Sequence, residues 1–256
     1  VNAYERKIEI LKMLEKEGKV QIKELSDLFS VTKVTIRNDL EDLEKRGLLV
    51  RTHGGALLAE NKQLIRFISK TIHEMEREKE SIAREATRLI TPSSTIMIDS
   101  GSTTAFLPRF IRDTKLTVIT NSLLVMEELS GASNIELLVS GGALRRSSMA
   151  LIGDTARFFF NQINADLLFL GATAMSLNKG VSCSNLVEAS TKRLMIESSE
   201  RICLLADSSK LGKVAMAHIC NWDDIDILIT DSMPREDRRV LMEFGVEVII
   251  TKSQGG

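Results

Sequence analysis

Apolar and polar positions change pattern twice along the 256 residues. Near the start, residues 19 to 58 (KVQIKELSDLFSVTKVTIRNDLEDLEKRGLLVRTHGGALL) hold two short apolar stripes at helical spacing. Leu25, Leu28 and Phe29 predict one face of a helix that begins near Gln21. Ser30 and Val31 interrupt it. Thr32 is placed to cap a second helix, its hydroxyl accepting from a free N–H of the first turn. That helix runs to about Arg46, where Gly47 suits the stop. Ile36, Leu40 and Leu43 form its buried stripe. At about 100° per residue this leaves Val34, Asn38 and Lys45 facing away, with Thr35 and Arg37 on the flanks. Residues 48 to 52 read as a β-ribbon that turns at His53, Gly54 and Gly55.

Residues 61 to 91 are rich in charge, and Asn61 to Lys70 is the expected hinge. From Thr71 to Ile90 the pattern predicts a helix with Ile82, Ala86 and Leu89 on one face and a charged N-terminal half that is solvated or lies at a subunit contact. From Ser94 the character changes again. The runs STIMID, LTVIT, IELLV, DLLFLGA, RICLLA, DILITD and VEVIIT alternate with helical stretches near 103–112, 122–130, 151–164, 186–199 and 235–244. Runs apolar on both faces and joined by helices predict an α/β domain with a mainly parallel sheet covered on both sides. Ligands of such sheets bind beyond the carboxyl ends of the strands.

The composition fits two domains. Residues 1–58 are too few to use a 43% hydrophobic content. The expected division is a winged helix-turn-helix at 1–58, a linker at 59–74 and a second domain at 75–256. A net charge of -1 argues against general nucleic-acid coating or binding to an anionic membrane. No run of about 18 apolar residues occurs and the N-terminus has no apolar leader-like core, so a cytosolic protein is expected. Cys183, Cys203 and Cys220 are far apart without a C-x-x-C pair, and His53, His73 and His218 are scattered. Reduced thiols, no metal and no cofactor are expected.

Two regions carry candidate chemistry. The outward side of the second helix suits a major groove. Arg37 can fork onto guanine, Asn38 can pair with an adenine edge, and Val34 or the Thr35 methyl can meet a thymine methyl. Lys33 lies at the end that can approach phosphates, and the turn can bring Arg51 and His53 to phosphates or a minor groove. Against this, the first 58 residues hold 11 Lys and Arg and 10 Asp and Glu, and helix-turn-helix patterns occur in proteins that do not touch DNA. The second region is a set of loops at strand ends. These are Asp99-Ser100-Gly101-Ser102-Thr103-Thr104, Asn121-Ser122 and Ser140-Gly141-Gly142. One such loop is an ordinary capped turn; three on neighbouring strands favour an anion pocket, with phosphate the natural guest. Neither G-K-[ST] nor G-x-G-x-x-G is present. Glu188 and Lys192 fall four apart on a predicted helix, and Asp207 and Lys210 follow a strand end. They read either as an ion pair and a capped turn or as ligand contacts, Lys210 above all.

The stretch VTKVTIRNDLEDLEKRGLLVRTHGGALL closely resembles the recognition helix and wing of the DeoR family of bacterial transcriptional regulators. It departs at Asn38, where most members have a second Arg, and T-I-R-N-D-L looks like regulators of N-acetylgalactosamine use within the family. IDSGSTT, TNSL, SGGALRRSSMALIGDTA, ADLLFLGATA, EASTKRLMI and LLADSSKLG resemble the family's sensor half. The resemblance implies a sensor similar in fold to ribose-5-phosphate isomerase that binds phosphorylated sugars. Ser100 to Thr104 would hold phosphate, and Asn121, Gly141, Gly142, Lys192 and Lys210 would complete the pocket. It also implies a repressor acting on double-stranded operator DNA as a homodimer or homotetramer. The kinship raises an enzyme alternative, because an isomerase needs carboxylates near the sugar to move a proton. Where the isomerases read D-G-A-D-E, this chain has Gly171-Ala172-Thr173-Ala174-Met175, without the two terminal acids; Glu188 and Asp207 remain. Binding without turnover is therefore expected, with effector choice set near Met149, Met175, Cys183 and Asn185.

Overall fold

Ile10, Leu14, Val20, Ile22, Leu25, Ile36, Leu40, Leu43, Leu49 and Ala56 form one apolar cluster, and everything N-terminal is built around it. The computed structural model describes residues 3–45, 49–52, 54–58 and 71–251. The chain divides into two units, Val1–Phe67 and Ile68–Gly256. In the first, α1 (Ala3–Glu17), β1 (Lys19–Gln21), α2 (Ile22–Phe29), α3 (Lys33–Lys45), β2 (Leu49–Arg51) and β3 (Gly55–Leu58) follow in order. The strands form an antiparallel sheet ordered β1-β3-β2. A Cβ at Gly55 would fall 1.9 Å from the Val20 carbonyl oxygen, so glycine is required where β3 meets β1.

The apolar stripe of α2 differs from the expected one. Leu28 is 58% exposed, whereas Ile22 and Leu25 are buried and Phe29 packs against the core. The helix begins at Ile22, and that residue turns the stripe to positions 22, 25 and 29. Ser30 then takes a left-handed conformation (φ 53°) and breaks the chain between α2 and α3. Thr32 caps as expected, its Oγ1 accepting from Thr35 N at 3.2 Å. Thr32→Ala should cost about 1 kcal/mol of stability in this unit, measured by thermal unfolding; an unchanged midpoint would remove the cap from the account. Gly47 and the expected hinge at Asn61–Lys70 lie outside the described residues. A buried ion pair, Arg6 Nε to Asp39 Oδ2 at 2.6 Å, ties α1 to α3.

In the second unit all seven apolar runs become strands of one parallel sheet. They are β4 (Thr95–Ile98), β5 (Leu116–Thr120), β6 (Ile135–Val139), β9 (Leu167–Gly171), β12 (Ile202–Leu205), β14 (Ile227–Thr230) and β15 (Glu247–Ile250). Their order is β15-β14-β12-β9-β4-β5-β6. Alternate residues feed two cores. Met97, Leu168, Leu170 and Leu204 face one; Ile96, Ile98, Phe169 and Leu205 face the other. The chain winds outward from β4 in both directions, so the topological switch lies between β4 and β9, where such sheets bind ligands.

Several expected elements differ. Met75 is left-handed (φ 55°), so residues 71–90 are not one helix: an α-helix spans Glu76–Ala86 and a 3-10 turn Thr87–Leu89. Its charged N-terminal half is not wholly solvated, because Lys79 is 1% exposed. Thr104–Phe110 is a 3-10 helix containing Pro108, whose ring nitrogen has no N–H to donate. The stretch at 151–164 is helical only over Asp154–Phe160. The other three expected helices form at Leu123–Leu129, Leu186–Glu197 and Arg235–Glu243. Five short strands are additional: β7 (Ala143–Arg145) and β8 (Ala150–Ile152) form a hairpin, and β10 (Ala174–Ser176), β11 (Gly180–Cys183) and β13 (Ala217–Cys220) form a small antiparallel sheet. No helix among the described residues is long and apolar enough to cross a membrane.

Candidate functional site

On α3 the buried stripe fixes what faces outward. Lys33, Val34, Arg37 and Asn38 are exposed on its first two turns. Thr35 is half-buried, its Oγ1 2.9 Å from that of Thr32. Arg51 is exposed on β2; its backbone N donates to Glu44 Oε1 at 2.9 Å, and its guanidinium lies 3.9 Å from Glu41. These contacts hold β2 to the C-terminal half of α3, leaving the cationic and amide groups of the N-terminal half clear. His53 lies outside the described residues.

At the carboxyl end of β4, Asp99 is fully buried and its Oδ2 accepts from Gly171 N at 2.9 Å, across the switch point. Lys192, on the helix Leu186–Glu197, donates to the same Oδ2 and to the carbonyls of Ser100 (3.3 Å) and Gly171 (3.2 Å). Burial works against the Lys192 charge, but the carboxylates of Asp99 and Glu188 outweigh it and hold the pKa above the ordinary lysine value. Glu188 lies 3.9 Å from Lys192 and accepts from Arg145 Nε at 3.0 Å and Ser148 Oγ at 3.5 Å. The β7–β8 hairpin is thereby fastened to the helix. Asn185 caps that helix, accepting from Glu188 N at 3.0 Å.

The small-residue loops converge beside this network. Ser100 N donates to Asn121 Oδ1 at 3.1 Å, and Thr104 Oγ1 to the Asp99 carbonyl at 2.7 Å. Ser100, Thr103 and Thr104 are buried, while Gly101, Ser102 and Gly141 are half-buried. Gly142 sits at φ 118° so close to β8 that a Cβ would lie 2.6 Å from the Ile152 carbonyl oxygen. Beyond β12, Asp207 Oδ1 accepts from Ser209 N at 3.2 Å. Among the described residues, Asn121 Nδ2 and Asp207 Oδ2 are buried side-chain atoms without a hydrogen-bond partner. Of the residues named for effector choice, Met175 and Cys183 are fully buried in the core, and Met149 is left-handed and half-buried.

Lys79 was not among the expected site residues. Its Nζ donates to the carbonyls of Thr71 and of Glu74 (2.7 Å). Burial lowers its pKa, the charge of Asp207 opposes that shift and Lys210 adds to it. Lys79 therefore lies within electrostatic reach of Asp207 and Lys210, just past the end of β12. The signal lies in the helical spacing: position 79 shares a stripe with Ile82, Ala83 and Ala86, so a lysine there must enter the core.

The model of the DeoR-like helix-turn-helix domain matches residues 6–62, and that of the DeoR C terminal sensor domain matches residues 74–232. A putative aga operon transcriptional repressor of Escherichia coli O157:H7 is 38% identical over 96% of this chain and 93% of its own length. The glycerol-3-phosphate regulon repressor of Escherichia coli K12 is 31% identical over 88% and 89%. An L-fucose operon activator of Haemophilus influenzae is 31% identical over 88% and 91%. Among solved structures, a D-ribose-5-phosphate isomerase in complex with phospho-erythronic acid matches 52% of each chain at 17% identity, with a TM-score of 0.38. Both domain models match in order and the relatives align along most of their length: the chain belongs to the DeoR family of transcriptional regulators.

Proposed function

We propose that this protein is a repressor of a carbohydrate-utilisation operon whose operator binding is modulated by a phosphorylated sugar. Residues 1–58 read double-stranded DNA, 59–74 link, and 75–256 sense the effector. The observation that carries the sensor role is the pair of buried, unpartnered atoms beyond the strand ends, Asn121 Nδ2 and Asp207 Oδ2. A buried polar group without a partner costs about 1–3 kcal/mol, and a ligand relieves such a cost by offering an acceptor to Asn121 or a donor to Asp207. Phosphate or ring oxygens suit Asn121, a sugar hydroxyl suits Asp207, and Lys210 neutralises charge. The names of two relatives, repressors of the aga operon and of the glycerol-3-phosphate regulon, support the substrate class.

Control follows from linkage. An effector that prefers the arrangement unable to span two half-sites must weaken operator binding by the same factor by which DNA weakens the effector. Two heads on half-sites imply a homodimer or homotetramer, acting in the cytosol. Turnover is not favoured: Gly171–Met175 offers no carboxylate and Glu188 is engaged by Arg145 and Lys192, which leaves Asp207 without a second acid of that pair to share a proton transfer. Gel-shift titration against the chain's own upstream region, with and without sugar phosphates, tests the reading. No retardation at low salt would end it, as would a ketose product at an enzyme-like rate from ribose 5-phosphate. Arg37→Ala should cost about 1–3 kcal/mol of specific affinity; equal losses on random DNA would make Arg37 a phosphate contact instead.

A further inference from the structure

We propose that Lys79 is a positioning residue through which a negative charge at Lys210 tightens residues 71–75, the first described residues of the sensor unit. The assignment of Lys210 to the effector rests on the reading above. Three carbonyls of this short segment accept from the one residue Lys79. Those of Thr71 and Glu74 accept from its Nζ, and that of Met75 from its backbone N at 3.0 Å. Met75 is left-handed, a conformation that a residue other than glycine keeps only where its surroundings hold it. His73 and Glu74 are exposed, while Thr71, Ile72 and Met75 are half-buried, so the core holds the segment mainly through Ile72. The ammonium supplies much of what else fixes it.

The fold sets this lysine beside the strand ends. The helix Glu76–Ala86 leads through Thr87–Leu89 into the start of β4, so it runs against the strands and its first turn lies at the carboxyl edge of the sheet. It packs on β12 and β14, and Ile82 and Ala83 share a core with Leu205 and Ile229. Position 79 is one turn nearer the edge, where Asp207 and Lys210 follow β12. Burial and the charge of Lys210 oppose the Lys79 ammonium, while Asp207, Glu74 and Glu76 favour it. Lys79 is buried, so solvent ions screen these charges weakly. An anionic group that neutralises Lys210 removes its repulsion and strengthens the hold of Lys79 on the carbonyls of Thr71 and Glu74. Linkage makes the effect reciprocal: a segment already held in this way favours the anion. Occupancy at the strand ends is thereby felt where the chain enters the sensor unit.

Hydrogen exchange of the amides of residues 72–79, on the full chain without sugar or DNA, tests the assignment. Lys210→Met removes the opposing charge, and Lys210→Glu reverses it as a bound phosphate would. Exchange is expected to slow in the order wild type, Lys210→Met, Lys210→Glu, each step by about twofold or more, the lower bound for coupled residues. In a Lys79→Met background the same two substitutions should leave it unchanged. Equal exchange in the three Lys210 forms, a different order, or the same slowing in the Lys79→Met background overturns the assignment. Should Lys79→Met fail to fold, the order of the three Lys210 forms decides alone, because a merely structural role for Lys210 does not grade with its charge. Neither DNA nor effector enters the measurement, so a failure here is distinct from a failure of the operator-binding reading.

Discussion

Lys192→Met is expected to lower the unfolding free energy of the sensor unit by about 3–5 kcal/mol, seen as a fall in urea midpoint at unchanged slope. The loss exceeds that of an ordinary surface ion pair because both groups are buried and the substitution strands the Asp99 carboxylate without its cation. Asp99→Asn with Lys192→Met should recover much of it, since neither charge is then left alone. A loss below about 1 kcal/mol in the single variant would show that Asp99 finds another partner. The pH dependence has a definite sign. The folded pKa of Lys192 is raised above its ordinary 10.5, so its contribution is fully present below that pH and fades only as pH climbs through the folded value. Neutral buffers should show none of this titration.

Asp207→Ala should weaken effector binding by about tenfold to hundredfold, the effect of removing a hydrogen bond to a charged group, about 1.5–3 kcal/mol. Operator affinity without effector should stay unchanged, because Asp207 belongs to the sensor unit and α3 to the other. Calorimetric titration with a series of phosphorylated sugars would read the first quantity, and gel shift the second. Equal effector affinity in the variant and wild type would remove Asp207 from the site. The variant would then repress normally and respond to effector normally, which separates this outcome from misfolding.

Much of the fold was legible for a physical reason. Each run from STIMID to VEVIIT is apolar on both faces, and only a sheet covered on both sides accommodates that. The short strands β7, β8, β10, β11 and β13 span three or four residues each, too few for alternation to stand out from chance. Leu28 was misplaced because a stripe depends on where its helix begins, and Ile22 sets that origin. In the site, the Gly, Ser and Thr loops could be found from composition. Their pairing could not: the spacing of Glu188 and Lys192 suggests an i,i+4 contact, yet the stronger partner of Lys192 is Asp99, 93 residues away. Lys79 was hidden among surface charges, although its spacing to Ile82 and Ala86 places it on the buried stripe.

The order of strands also bears on how the sensor unit is made. β4 is synthesised first and lies inside the sheet, with β5 and β6 added on one side and β9, β12, β14 and β15 on the other. Every later strand joins an edge that already exists, and none has to be inserted between two strands already paired. Long-range parallel pairing is ordinarily slow and prone to aggregation. Each strand leaves the ribosome after the neighbour it pairs with, so the strand order allows assembly by extension from a seed.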